Sequence, residues 1–186
     1  MINIKNVFMT TSTLLIKTKR LEIYALTLEA LLLFITKPQV FAVMYGYKGD
    51  FRFDNNEVEV IKKDLLPSLK LAQGYWYYYT MWLMVDRQNQ TIVGSFCFYG
   101  KPDIHKAIEI GYGVSSNQQN KGYMNEALMG VIDWCTKNIL INMLKARCDI
   151  SNEASNRLLK KSGFLTSKIN QKENLIDWYI NVNHQL

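Results

Sequence analysis

The chain has 186 residues, which is the ordinary length of one domain and enough to bury a sizeable core. Hydrophobic residues make up 48% and charged residues 20%, and this balance excludes a disordered chain. No apolar stretch reaches the roughly 20 residues that a membrane-spanning helix needs, and the first residues lack the apolar block of a secretory signal. The net charge of +6 leaves nucleic acid, a membrane surface or a polyanionic small molecule as anionic partners to consider.

The first part of the chain is predicted to hold one strand and two helices. Residues 19–26 alternate in part between apolar and polar side chains, which favours a strand. A short helix is predicted over 27–35, with the threonine at its start as the cap. A longer one is predicted over 54–72, because it opens with capping-box spacing and continues with apolar residues at helical intervals. Pro67 is expected to kink or split this second helix.

The rest of the chain is predicted to be rich in strands, followed by alternating helices and strands. The three strands in the middle are typical of an antiparallel meander, and the whole order predicts one domain of the α+β (mixed α/β) class. The predicted elements are strands 81–86, 91–99 and 107–114, helix 124–139, strand 144–150, helix 154–161 and strand 175–182.

The three cysteines do not indicate a metal or a disulfide framework. Cys97, Cys135 and Cys148 are odd in number, and no two of them have the spacing of a zinc-binding or redox pair. We therefore expect no metal site and a reducing, cytoplasmic location. Cys148 is expected to be a buried core residue.

The segment between strand 107–114 and the next helix has the features of an anion site. A polar loop leads through Gly122 into the helix, whose first N–H groups have no partner within the helix and lie at the positive end of its dipole. Gly122 allows close approach of a phosphate, and Lys121 adds a positive charge. An ordinary loop with a helix cap is the alternative, because the segment matches neither the P-loop nor the dinucleotide-binding pattern.

Three blocks of sequence resemble the GCN5-related N-acetyltransferase (GNAT) superfamily over nearly the whole chain. Gln119-x-x-Gly122-x-Met124 resembles the acetyl-CoA-binding motif Q/R-x-x-G-x-G/A, and the run 121–128 resembles the branch that acetylates the N-termini of ribosomal proteins. The other two blocks follow the family's order and spacing. They are Ile110-Gly111-Tyr112 and Asn152-x-x-Ser155-x-x-Leu158-x-x-Lys161-x-Gly163-Phe164.

The resemblance implies a GNAT fold. Its central sheet is expected to be twisted and mostly antiparallel, with about six to seven strands flanked by helices and an opening between strands 4 and 5. Residues 1–186 are expected to form a single acetyltransferase domain, in which 1–17 are either flexible or an additional N-terminal element.

The same resemblance implies an N-acetyltransferase that uses acetyl-CoA as cosubstrate. The acceptor is expected to be a primary amine, either a ribosomal or other protein N-terminus or a small amine, which attacks the thioester directly in a ternary complex. No membrane partner is expected. Nucleic acid is disfavoured as a partner because the basic residues do not interleave with the aromatic ones. The protein is expected to be a monomer or a homodimer.

An acyl-CoA-binding module with little turnover is the alternative function. It is motivated by two departures from the family pattern. Met124 stands where the motif has Gly or Ala, and it would either crowd the pyrophosphate or turn into the core. Leu158 stands where many relatives have a tyrosine that acts as general acid.

The resemblance also assigns residues to the cofactor. Phosphates are expected on 119–124, the pantetheine along 112–114, and Asn152 and Ser155 near the pantetheine or the sulfur. The expected cofactor-binding residues are Tyr112, Gly113, Val114, Gln119, Asn120, Lys121, Gly122, Tyr123, Met124, Asn152, Ser155 and Arg157.

Two residues are catalytic candidates. Glu109 is the candidate base, because it is a carboxylate within an otherwise apolar strand, and exposure to solvent by strand alternation is the alternative. Ser155 is the candidate proton donor to the departing thiolate, and a helix cap is the alternative. Tyr112 and Tyr123 are the other acid candidates, although packing is the simpler role for each.

Two patterns of composition complete the prediction. Seven basic and two acidic residues lie between 145 and 172, and the phosphates of coenzyme A are a sufficient anionic partner for them. The Tyr- and Trp-rich stretch 75–82 is expected to pack at an edge of the sheet, or else to form an acceptor-binding wall completed by Phe41, Tyr45 and Tyr47.

Overall fold

The computed structural model of the protein describes residues 15–49 and 51–182. Of the predicted N-terminal segment 1–17, only Leu15–Lys17 falls inside these ranges, and it forms a short strand. Residues 1–14 lie outside the described residues. Within the described ranges, no helix is long and apolar enough to cross a membrane.

In the part of the chain that the structure describes, an eight-stranded sheet organises the fold, with strand order β1-β2-β3-β4-β5-β6-β8-β7. Every neighbouring pair is antiparallel except β5 and β6, which are parallel. The strands are β1 (Leu15–Lys17), β2 (Leu21–Ala25), β3 (Met81–Asp86), β4 (Thr91–Phe98), β5 (Ala107–Val114), β6 (Met143–Asp149), β7 (Leu165–Asn170) and β8 (Leu175–Asn181).

The predicted fold class is confirmed, with more strands than expected. The sheet is mixed and mostly antiparallel, and it opens between two central strands as predicted. It has eight strands instead of six or seven, because the sequence reasoning missed β1 and β7. These two strands lie at the edges of the sheet, and five of the six residues of β7 are exposed, so β7 lacks the apolar alternation that identifies a half-buried strand.

Among the described residues, six α-helices lie on the two faces of the sheet. They are α1 (Leu28–Thr36), α2 (Pro38–Tyr45), α3 (Asn55–Val60), α4 (Leu66–Leu71), α5 (Tyr123–Thr136) and α6 (Glu153–Lys161). Thr27 caps α1, and the predicted capping box starts α3. The expected interruption near Pro67 is confirmed, because a π-helical turn (Ile61–Leu65) separates α3 from α4 and the proline lies in the first turn of α4.

Two apolar cores lie on opposite faces of the sheet. On one face, α5 buries Ala127, Leu128 and Val131 against β2–β6, and α6 adds Leu159. On the other face, α1–α4 and the π-helical turn pack mainly on β2–β4. Within the described residues, the core of this second layer includes no side chain of β6, β7 or β8.

The aromatic stretch 75–82 is a packing element. Residues Trp76–Tyr79 form a 3₁₀ turn, after which β3 begins. Tyr78 and Trp82 are fully buried, and both rings contact Trp134 of α5. Phe41, Tyr45 and Tyr47 stack on one another within the other core. The stretch therefore serves packing, but it packs in the core beneath α5 and not at an edge of the sheet as expected.

Candidate active site

The parallel pairing of β5 and β6 stops partway along both strands. It covers only 107–110 of β5 and 143–146 of β6. Beyond it β5 stays paired with β4, and β6 stays paired with β8. Residues 111–114 and 147–149 therefore diverge, and we call this opening the fork. In the described chain no strand pairs with the edge of 111–114 that faces the fork, so its backbone groups are accessible to a ligand that lies between the strands.

The loop predicted to bind phosphate follows directly from the fork. After β5 it makes a 3₁₀ turn at Ser116–Gln118, and it enters α5 through Gly122. Asn120 and Gly122 both have positive φ angles, 60° and 76°. Gly122 is the N-cap and has no side chain to serve the first turn of α5, so the amides at this helix N-terminus remain suited to an anion.

The side chains of Lys121 and Gln119 lie on the loop, whereas that of Met124 turns into the core. The Lys121 ammonium donates a hydrogen bond to Gln118 Oε1 at 2.9 Å, and it is exposed. The Gln119 amide group lies 3.5 Å from the Val114 carbonyl oxygen. Met124 is buried in the core beneath α5, so it does not crowd the face of the loop that a pyrophosphate would meet.

Arg20, which lies 101 residues before Lys121 in the sequence, anchors this loop. Arg20 donates from its backbone N and its Nε to the Glu126 carboxylate, each at 2.6 Å, and from Nη1 to the Lys121 carbonyl oxygen at 2.9 Å. Its guanidinium also lies 4.6 Å from the centroid of the Tyr123 ring. Thr18 adds a third hydrogen bond to Glu126, at 2.6 Å.

Two carboxylates in this anchor are stabilised in their charged form. Partial burial raises the pKa of Glu126, but the hydrogen bonds from Thr18 and Arg20 outweigh that effect and lower it below its usual range. The same balance holds for Asp86, where the hydrogen bond from the Tyr123 hydroxyl, at 2.7 Å, opposes the effect of burial. Tyr123 is therefore held by Asp86, and its ring is buried in the core beneath α5.

A hydroxyl pair connects the two arms of the fork. The Tyr112 hydroxyl on β5 lies 2.8 Å from Ser155 Oγ on α6. Asn152 is the N-cap of α6 and accepts the Ser155 N–H, so the alternative role of Ser155 as the cap is wrong. Burial raises the pKa of Tyr112 to about 12, although its hydrogen bond with Ser155 lowers it. Leu158, at the position of the family's tyrosine, packs at the margin of the core.

Asn156 fixes the turn between β6 and α6, and the sequence reasoning missed it. Its side-chain amide donates to the carbonyl oxygens of Asp149 and Ile150, both at 3.1 Å. Its Oδ1 accepts from the Cys148 thiol at 2.9 Å and from Trp178 Nε1 at 3.1 Å. Cys148 is buried, as predicted, and burial raises the pKa of its thiol.

Glu109 lies on the face of the sheet opposite to α5 and α6. It is half-buried and lines a cavity of about 590 Å³ together with Lys145, which is its register partner on β6, and Asp177 and Tyr179 on β8. Glu109 and Tyr112 are three residues apart on one strand, so their side chains point to opposite faces. Ser155 therefore lies at the fork, whereas Glu109 lies on the opposite face of the sheet, in the part of β5 that is still paired with β6.

Two further cavities lie on the Glu109 face, beside the diverging part of β5. One, of about 410 Å³, lies between β4–β5 and the segment 53–65 and is mostly apolar; it touches Gly111 and Gly113 at the fork. The other, of about 380 Å³, is more polar and is lined by Arg52, Ser95 and residues 113–117. The predicted aromatic wall lines neither cavity.

Three further residues that were predicted to bind the cofactor are Gly113, Val114 and Arg157. Gly113 is exposed and Val114 is half-buried. The Arg157 guanidinium is exposed on α6, where it pairs with Glu153 at 2.7 Å. Among the residues that the structure describes, no group of His, Cys, Asp and Glu side chains is placed to hold a metal ion.

A family model described as an acetyltransferase (GNAT) domain matches residues 20–165. Among curated proteins, an "uncharacterized N-acetyltransferase YjdG" from Bacillus subtilis is 36% identical over 84 residues, which are 45% of this chain and 50% of the relative. The match thus spans about half the length of that relative.

Solved structures show the same fold at low sequence identity. RimL, a ribosomal-protein alpha-N-acetyltransferase solved in complex with coenzyme A, superposes with a TM-score of 0.67 at 16% identity, covering 92% of this chain and 100% of RimL. An acetyl transferase from Salmonella typhimurium, described as modifying an N-terminal serine of a ribosomal protein, gives 0.64 at 18% identity, covering 91% of this chain and 100% of its own.

The anchor at Glu126 predicts a stability effect that depends on pH. Because its folded-state pKa is lowered, its ionised form stabilises the fold above the unfolded pKa of about 4.3, and this stabilisation is lost as the pH falls through the folded value. We expect Glu126→Gln to reduce the free energy of unfolding by about 1.5–3 kcal/mol at pH 7. Urea unfolding at pH 7 and pH 3 is the measurement, and the difference from wild type is expected to shrink at pH 3.

Asp133→Asn is the matched control on the same helix. Its ion pair with Lys137 is exposed, so we expect a change within about 0.5 kcal/mol. An equal loss for Glu126→Gln at both pH values would contradict the electrostatic role of this anchor.

Proposed function

The chain belongs to the GNAT acetyltransferase family, and on that premise we propose that it transfers the acetyl group of acetyl-CoA to a primary amine by direct attack in a ternary complex. The geometry of the fork carries the proposal. The fork has an open backbone edge, the uncapped N-terminus of α5 at its outer end, and proton-transfer groups on both faces of the sheet.

Coenzyme A fits the fork by its chemistry. The amides of 119–124 at the start of α5 suit the pyrophosphate, and Lys121 adds a positive charge. The open edge of 112–114 offers hydrogen bonds to the amide groups of pantetheine, in the manner of an added strand. Asn152, Ser155 and Arg157 lie on the opposite arm, where Ser155 approaches the sulfur and Arg157 adds charge for the phosphates.

The transfer step uses both faces of the sheet. The ammonium group of the acceptor first releases one proton to solvent. The neutral nitrogen then attacks the thioester carbonyl carbon while its next proton passes to Glu109, directly or through one water, and Glu109 later returns this proton to solvent. The backbone amides of the open β5 edge stabilise the oxyanion. The C–S bond then breaks, and the thiolate takes the Ser155 hydroxyl proton, which Tyr112 replaces and later regains from solvent. The acid and the base thus act from opposite sides of the reacting carbon.

Two observations favour turnover over a module that only binds acyl-CoA. Met124 lies in the core and leaves the loop free for phosphate. Tyr112 offers a protonated hydroxyl beside Ser155, so the fork holds a proton donor although Leu158 replaces the family's tyrosine. The acceptor is either a protein N-terminus or a small amine, because both present a primary amine.

Acetyl-CoA binding is the first expectation. Acetyl-CoA in large excess over its Kd is expected to raise the Tm, because a ligand that binds only the folded state stabilises it. Lys121→Gln is expected to raise the Kd about fivefold at low salt, and less at high salt because screening weakens the charge contact. Lys70→Gln, at an exposed position on α4, is the control of equal charge change. The absence of any Tm shift with excess acetyl-CoA would contradict the proposed function.

The hydroxyl pair is tested by turnover. Ser155→Ala and Tyr112→Phe are each expected to lower kcat about 10²-fold, with the acetyl-CoA Kd changed less than threefold, because the pair acts on the leaving thiolate. Since the pKa of Tyr112 is about 12, the donor stays protonated, and kcat is expected not to fall between pH 8 and pH 10. Tyr77→Phe, in the aromatic stretch, is the control. An unchanged kcat in both site variants would remove the pair from the mechanism.

Glu109 is tested separately by its pH profile. Glu109→Gln is expected to lower kcat/KM by about 10²-fold or more and to abolish the acidic limb of its pH dependence, because the variant cannot accept a proton. Glu173→Gln, outside the fork, is the control of equal chemistry. If the acidic limb persists unchanged in Glu109→Gln, another group is the base.

A further inference from the structure

Resting on the proposed acetyl transfer, we infer that the acceptor is a monocationic amine attached to an aliphatic or aromatic group. Its apolar part would occupy the 410 Å³ cavity beside the fork, and Glu57 and Asp64 would hold its ammonium group as it enters. This cavity, which we call the acceptor cavity, differs in chemistry from the two polar cavities near it.

One face of the helical segment 53–65 forms the outer wall of the acceptor cavity. Phe53, Val60, Ile61 and Leu65 line it from this segment, and Met81, Cys97 and Tyr99 line it from the side of the sheet. Val60 is 55% exposed although it is apolar. An apolar lining that stays open to solvent is typical of a binding pocket, and the volume suits a small molecule or a single side chain.

The charge of the acceptor cavity has one sign. Its described lining includes two carboxylates, Glu57 and Asp64, and no basic side chain. The capping box orients Glu57, because its Oε2 accepts the Asp54 N–H at 2.9 Å. Asp64 lies in the π-helical turn. Arg52 lines the adjoining polar cavity, which shares Glu57, but does not line this one. An ammonium ion is therefore attracted to the cavity, and a carboxylate is repelled from it.

Tyr99 connects the acceptor cavity to the reacting atoms. A β-carbon at Gly111 would lie 2.6 Å from the Tyr99 hydroxyl, so only glycine allows this ring to lie against β5. Gly111 is the first residue after the last β5–β6 pair, which places the Tyr99 hydroxyl at the base of the fork. Tyr99 itself lines the cavity, and partial burial, with the nearby Cys97 and Glu109, raises its pKa.

This arrangement discriminates among amines. A polyamine would place a second ammonium group against Val60, Ile61 or Met81, where desolvation is not compensated by hydrogen bonds. A short polar amine would leave the apolar lining in contact with water. An amine with a free carboxylate next to it would meet Glu57 and Asp64. A molecule with one ammonium group and an aliphatic or aromatic group fits the cavity. Its ammonium group interacts with the two carboxylates as it enters, and its apolar group contacts the apolar side chains.

The inference is tested with matched amine acceptors, the full chain and saturating acetyl-CoA. The measured quantity is the initial rate of coenzyme A release. Phenethylamine and isoamylamine are expected to exceed ethanolamine and spermidine by about 10-fold or more in kcat/KM, because each buried methylene contributes about 0.8 kcal/mol. Short peptides that begin with Phe or Leu, compared with peptides that begin with Ser or Asp, form a second arm. Comparison of the two arms shows whether the apolar amine is a small molecule or the N-terminal residue of a peptide.

Variants at exposed positions test the cavity itself. Val60→Lys is expected to raise KM for the best acceptor about tenfold with little change in kcat, because it places a cation at the entrance. Val43→Lys, at an 81% exposed position on α2, is the matched control. Glu57→Gln and Asp64→Asn are each expected to raise KM about fivefold, while Glu59→Gln, whose carboxylate pairs with Lys62 on the same helix, is expected to leave it unchanged. Glutamine preserves the capping box, so folding is retained.

The outcomes separate this inference from the proposed function. Equal or faster turnover of ethanolamine, spermidine or Ser-initiated peptides overturns the inference and leaves acetyl transfer standing. A Tm shift with acetyl-CoA but no turnover of any apolar amine also overturns the inference. No change in KM for Val60→Lys excludes this cavity as the acceptor site. The absence of both a Tm shift and coenzyme A release overturns the proposed function itself.

Discussion

The parallel contact between β5 and β6 covers four residue pairs and then ends, and the arrangement of the site depends on that ending. A continuous ladder would use the backbone groups of 111–114 within the sheet. Because β4 holds one edge of β5 and β8 holds one edge of β6, the two strands diverge without either becoming a free strand. The fork thus offers a rigid backbone edge to a ligand at little cost to the stability of the sheet.

The alternation of side chains along β5 distributes the chemistry between the two faces. Tyr112 points to the side of α6 and meets Ser155, whereas Glu109 and the open cavities lie on the other side. The sheet thereby keeps the hydroxyl pair and the Glu109 carboxylate apart. In the reaction proposed above, the same separation lets acetyl-CoA and the amine approach the fork from different directions.

The local features of the site were largely predictable, and the long-range contacts were not. The Gln119–Met124 motif, the capping box at Asp54 and the break near Pro67 are each encoded within a few residues, so the local sequence was enough to identify them. Arg20, Asn156 and Tyr99 were missed as site residues, because the contacts that matter join them to residues that are distant in sequence or to a backbone that only glycine leaves open. The edge strand β7 was missed because its residues are mostly exposed and lack a periodic pattern.

The sequence by itself determined the family, the order of most strands and helices, and the loop that suits phosphate, because each of these depends on local spacing, glycine placement and the apolar period. Only the tertiary structure decided which way Met124 turns, which hydroxyl accompanies Ser155, and which residues line the acceptor cavity. These depend on the register between strands and on helices packed across the sheet. That information lies in the simultaneous burial of many side chains, which no single segment contains.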